Sequence, residues 1–276
     1  MTTPDAASRP GAAKHSFFRK SLVLPAEHGA WAWLMVPFVV GSSVAGQLHP
    51  AIFLALVGGL AAFLMRQPAT IWLRIRQGRG RRRDEPLARG WTVGLALVGL
   101  LALLGLLALQ RTAILWLLPP LGLLLAFYLW AALSRQTSVR TLWMELAGAA
   151  GLAAMAPAGY IAATGQIDAT AWNLWALLAG QNVLGALYVR QRIADTHQRP
   201  MNRMAILLAH LGGLLLAAGL VWIQPTGWPA LLPFAAFLLR AGWLALAPRP
   251  VANVKRFGFL ELGIEILGGL CYIAAF

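Results

Sequence analysis

Seven ionisable residues, Glu27, Arg66, Glu145, His210, Arg240, Glu261 and Glu265, sit inside or at the mouth of long apolar runs. Charged groups in such places are costly unless they face a wet hollow or one another, so each is a candidate for binding or proton chemistry. The sharpest of them stands in Pro25-Ala26-Glu27-His28-Gly29-Ala30-Trp31, where a basic tail turns into the first apolar run. Trp31 and Trp33 fit an interfacial anchor, and Glu27 could snorkel to water, but anchoring leaves the carboxylate–imidazole pair unexplained. Such a pair supplies a general acid and base, and Glu145, about a turn into the fifth apolar run, is a third group of that kind. Glu27, His28 and Glu145 are therefore the candidate catalytic residues.

Helical spacing groups the others. Phe257, Glu261 and Glu265 recur at intervals of four, and Gly268 and Tyr272 continue the stripe, so both carboxylates face one way. Gln181, Gly185, Tyr188 and Arg192 form a second stripe, and Thr141, Glu145 and Gly148 a third. Two stacked carboxylates repel unless a cation lies between them, and Arg240 on the preceding run is the expected partner. Counted from one boundary, the seven ionisable groups lie at similar depth on six runs. They predict a single wet cavity open to the cytoplasm, lined for substrate by Arg66, Asn182, Tyr188, Arg190, Arg192, Arg240, Glu261 and Glu265.

The elements that must position these side chains follow from composition. Of the 276 residues 59% are hydrophobic and 12% charged, and apolar segments recur near 29–47, 50–72, 91–109, 113–133, 141–164, 170–189, 204–223, 228–247 and 257–276. Each covers about 30 Å at about 1.5 Å per residue, which predicts an all-α polytopic membrane bundle of nine spans over residues 25–276. Residues 1–24 read as a disordered cytoplasmic tail, too long and too charged to begin a cleaved signal peptide. Pro119, Pro120, Pro157 and Pro233 fall inside spans and predict kinks. Glycines in the fifth and ninth spans (Gly148, Gly151, Gly263, Gly268, Gly269) predict close helix approach. The single cysteine, Cys271, excludes an internal disulfide.

All but three of the 23 Lys and Arg (Arg66, Arg111 and Arg240) lie in the tail or in alternate loops, hence on one side of a nine-span bundle. The positive-inside rule puts that side and the N-terminus in the cytoplasm, and the C-terminus outside. The net charge of +14 is thereby explained without nucleic acid as a partner. His28 and His210 alone make a weak case for haem, and no Cys/His spacing would hold zinc. No metal or cofactor is expected.

Leu24-Pro-Ala-Glu-His-Gly-Ala-Trp31 with Val36-Pro37-Phe38, together with Tyr188-Val-Arg-Gln-Arg-Ile193, resembles the YwiC-like family of bacterial membrane proteins, which brings no established activity with it. A looser likeness is to the UbiA superfamily of intramembrane prenyltransferases. It implies nine spans over a cytoplasm-facing cavity, with Asp-rich motifs closing spans 2 and 6 to hold Mg²⁺ against a prenyl diphosphate. An offset of four spans, with Glu27 and Glu145 opening spans 1 and 5 and arginines closing spans 2 and 6, agrees with two four-helix halves plus one. The Asp-rich motifs are missing: Met65-Arg66-Gln67-Pro68 and Tyr188-Val-Arg190-Gln-Arg192 carry guanidinium groups, which cannot ligate Mg²⁺, and Asp195 is the one acid nearby.

Two functions follow. Arg66, Arg190 and Arg192 could bind the phosphate or carboxylate of an isoprenoid, quinone or phospholipid-like molecule, with Glu27, His28 or Glu145 as acid or base in its modification. Alternatively, the protein is a non-enzymatic membrane component, a transporter or an assembly factor. Outer span halves poor in polar groups speak against a through-path.

Overall fold

In a computed structural model, the described residues are Leu22, Leu24, and residues 28–134, 141–224 and 226–276. Most of the tail expected over 1–24, the Glu27 of the N-terminal motif and the side chain of His28 lie outside them. Ten α-helices and no strand occur among the described residues. The helices are α1 His28–Val44, α2 Ala51–Arg76, α3 Glu85–Ala108, α4 Leu118–Leu133, α5 Leu142–Leu152, α6 Met155–Thr164, α7 Ala169–Thr196, α8 Arg203–Ile223, α9 Leu232–Leu246 and α10 Val254–Ala275.

Local chemistry sets their ends. Asp168, Asn202 and Asn253 precede α7, α8 and α10 and accept the backbone N–H of Ala171, Ala205 and Arg256, each at 3.0 Å, which satisfies donors the helix cannot. Proline positions correct the sequence expectation at three places. Pro119 and Pro120 stand in the first turn of α4 and Pro233 in the first turn of α9, where no N–H is needed, so they start helices instead of kinking them. Pro157 does interrupt its run. It is the third residue of α6 and cannot donate to the Ala153 carbonyl, and the apolar stretch 142–164 divides at Ala153-Ala154.

Among the described residues, seven stretches are long and apolar enough to cross a membrane: Ala51–Arg76, Arg82–Ala108, Thr112–Ala131, Leu142–Thr164, Arg203–Ile223, Trp228–Leu246 and Val254–Ala275. Their outer faces are apolar, with Trp222 88%, Leu246 83% and Leu239 76% exposed, as lipid contact requires. Two of the nine expected segments are not among these. Helix α1 covers 17 of the described residues. Helix α7 is 28 residues long but carries Asn173, Gln181, Asn182, Gln191 and Asp195, all buried, because other helices enclose it.

The core has two clusters, one around Leu174, Leu178, Phe234, Phe237 and Tyr272, the other around Leu34, Phe63, Leu106 and Ile161. They do not divide cleanly into two four-helix halves, since α1 contributes Val40 to the first and Leu34 and Phe38 to the second. That helix packs on α6 and α10, where small residues bring backbones together. A Cβ at Gly41 would collide with the Ala156 carbonyl, and one at Gly159 would stand 2.9 Å from the Phe38 carbonyl. Of the glycines expected at close approaches, Gly151, Gly268 and Gly269 face Leu124, Gln181 and Val36, whereas Gly148 and Gly263 face open space. Gly41→Ala is expected to cost about 1–3 kcal/mol through overpacking against backbone, and Gly148→Ala nothing comparable. Thermal unfolding of both variants in one detergent checks this, and equal melting temperatures would contradict it.

A polar site at the basic end of the bundle

Side-chain bonds gather the basic loops at one end. Arg79 Nη1 donates to the Leu133 carbonyl at 3.2 Å, joining the loop after α2 to the end of α4. Arg190 pairs with Glu145 at 2.6 Å across α7 and α5. Arg192 Nε donates to the Arg249 carbonyl at 2.7 Å, and Thr196 Oγ1 accepts the Val251 N–H at 2.8 Å. The densest knot surrounds Asp195, which is paired with Arg203 and accepts the Arg249 N–H at 2.7 Å, while Arg203 also donates to the Leu244 and Ala247 carbonyls. The opposite end is held by neutral contacts and one acid: Asn173 donates to Thr226 Oγ1 at 2.7 Å and the Tyr160 hydroxyl to Asp168 at 2.8 Å.

Inward from the basic end, α7, α8, α9 and α10 enclose a polar column. The stripes read from spacing do face each other. Tyr188 and Phe257 stack with centroids 6.4 Å apart, and the Arg192 guanidinium lies 5.0 Å from the Phe257 centroid. Arg192 Nη1 also donates to the Tyr188 hydroxyl at 3.1 Å. The Arg240 guanidinium lies 3.7 Å above the Tyr188 ring and is paired with Glu261, both side chains being under a fifth exposed. Cation–π contact and a charge-assisted hydrogen bond together offset the loss of water around that guanidinium. Deeper, Glu265 faces the Gln181 amide, and His210 Nδ1 lies 2.8 Å from the Ile206 carbonyl with its ring edge-on to Phe237. Gln181, His210, Glu265 and Tyr272 are buried, and each keeps a side-chain nitrogen or oxygen without a hydrogen-bond partner.

Several expectations need correction. Arg240 does not lie between the two carboxylates: it binds Glu261, and Glu265 has the Gln181 amide before it. Arg66 is not part of this column. Its guanidinium lies 5.0 Å from the Tyr128 ring of α4 and 5.8 Å from Phe63 of its own helix. Asn182 is committed to structure, its amide donating to the Trp33 and Ala149 carbonyls at 3.1 and 3.0 Å and tying α7 to α1 and α5. Glu145 and Arg190 satisfy each other in a half-exposed pair.

Two hollows among the described residues are apolar and lie apart from these groups, one of about 500 Å³ near Leu48, Pro50 and Phe53, the other of about 400 Å³ between α7 and α8 near Leu177, Gly180 and Gly213. Sequence reasoning passed over the roles of Asp195, Arg203 and Arg249. The available signal was that Asp195 is a lone acid in an arginine-rich loop, which makes it the only local group able to neutralise them.

Apolar helices with lipid-ready faces around one polar, enclosed helix define a multi-pass membrane protein. Residues 24–160 match the family model described as YwiC-like protein, so that stretch is similar to this family, in agreement with the motif at Leu24 to Trp31. The second motif, at residues 188–193, lies beyond the matched stretch. Neither the curated proteins nor the solved structures gave a match.

Proposed function

We propose that the protein crosses a bacterial inner membrane nine times, with a cytoplasmic N-terminus and an external C-terminus, and holds an anionic, lipophilic molecule at its basic end. The scaffold in this reading is UbiA-like without the Asp-rich metal motifs. The observation that carries it is the convergence of Arg192 and Arg240 on Tyr188 and Phe257, where α7, α9 and α10 end together. A guanidinium already stripped of water and laid on aromatic rings binds an oxyanion more strongly than a solvated one. Arg240 Nη1 is buried without an acceptor, which leaves a donor for a phosphate or carboxylate oxygen. The ligand classes that fit are a prenyl phosphate, a quinone with an acidic ring substituent, or a phospholipid.

A second reading, a non-enzymatic transporter or assembly factor, is favoured by one observation: Glu145, a candidate acid or base, is tied to Arg190. Acid–base work in an enzyme would then fall to Glu27 and His28.

Mass spectrometry of molecules that co-purify in mild detergent tests the binding. An anionic lipid is expected at near one per chain, and Arg192→Ala should weaken its retention about tenfold, the equivalent of one charge-assisted hydrogen bond. Absence of any such ligand, together with no binding of prenyl phosphate, quinone or phospholipid in nanodiscs, would retire the reading. Alkaline phosphatase fused after Phe276 should be active if the C-terminus is external.

A further inference from the structure

Gln181 and the stripe of α10 form an arrangement that an anionic ligand does not explain. The Gln181 carboxamide lies flat on α10 at Gly268, where an added Cβ would meet its Oε1, Cδ and Nε2 at 2.5–2.9 Å. Glu265 is one turn along the helix on one side of Gly268 and Tyr272 one turn on the other. Exposure is 0% for Gln181 and Tyr272 and 4% for Glu265. Glu265 Oε1, Gln181 Oε1 and the Tyr272 hydroxyl all lack a hydrogen-bond partner among the described residues. Glu261, one turn nearer the basic end, is matched by Arg240, whereas Glu265 makes no ion pair among the described residues.

We propose that Glu265, Gln181 and Tyr272 form a buried site for one dehydrated monovalent alkali cation between α7 and α10. Three oxygens from two helices, all without partners, make a hard-ligand set of the kind sodium or potassium takes when it leaves water. One carboxylate offsets one positive charge. A divalent ion would leave an uncompensated charge among apolar helices, which is strongly disfavoured. The cation site is independent of the anionic-ligand reading and stands if that reading fails.

Thermal unfolding of the full chain in detergent, in sodium, potassium, lithium or choline chloride at equal ionic strength, tests it. A saturable rise of several degrees over choline is expected with sodium or potassium, and none with added magnesium. Glu265→Gln should weaken the apparent affinity about 100-fold. Gly268→Ala, whose methyl displaces the Gln181 amide, should weaken it as well, while Glu85→Gln in the first turn of α3 leaves it intact. Equilibrium dialysis of the unmodified protein with radioactive sodium or potassium should find one ion per chain, and it decides the matter if the Glu265 variant does not fold. Equal melting in choline and all alkali salts with no ion bound, or a cation response that survives Glu265→Gln, would overturn the proposal. The carboxyl would then be satisfied by Tyr272, Gln181 and water.

Discussion

Arg240→Met is expected to destabilise the protein by about 3–5 kcal/mol, because it leaves Glu261 charged and unpaired among apolar helices. The two side chains are 18% and 19% exposed, too enclosed for water to replace the lost partner. Tyr188 would also lose the guanidinium that covers its face at 3.7 Å. Removing both charges behaves differently. Arg240→Met with Glu261→Leu should recover most of the loss, since an apolar pair of similar volume avoids the desolvation that the ion pair has to offset. Glu145→Gln is the contrasting case: that pair is 41% and 35% exposed, and breaking it should cost about 0–1 kcal/mol. Unfolding in mixed micelles titrated with a denaturing detergent measures all four proteins. A single Arg240 variant as stable as the unmodified protein would show that the pair carries no such weight.

Asp195→Ala is expected to cost about 3 kcal/mol and to loosen the junction between α7, α8 and α10. Its side chain is 3% exposed, and it is the acceptor for both the Arg203 guanidinium and the Arg249 N–H. Truncation leaves a largely buried cation and a backbone donor unpaired at once. Asp195→Asn keeps an acceptor oxygen for the Arg249 N–H and loses the charge, so it should recover roughly half. Hydrogen exchange offers a local readout. Protection should fall first at Arg249 and Val251, whose N–H groups are bound to Asp195 and Thr196. Uniform loss across α2 and α3 instead would show that the knot is not the local fastener described.

The stripes on α7 and α10 were legible because a helix repeats its face every three or four residues, and Tyr188, Arg192 and Phe257 do meet as that spacing requires. Arg66 was misread because depth along a span carries no information on the direction around it. Its partners, Tyr128 and Phe63, lie in the other part of the bundle. The proline positions were misjudged for a related reason: an apolar run contains its own turns, and Pro119 and Pro233 stand where helices begin. Asn182 looked like a ligand because it is polar inside a span, yet it serves two carbonyls of neighbouring helices.

By itself the amino-acid order determined that the chain is an all-helical membrane bundle. Run length and charge placement are local quantities, and lipid responds to them directly. Only the tertiary structure decided which polar groups share a space: Glu261 with Arg240, Glu265 with Gln181, and Asp195 with Arg203. Those pairings depend on helix rotation and on close approaches such as Gly41 to Ala156, which arise from packing many surfaces at once.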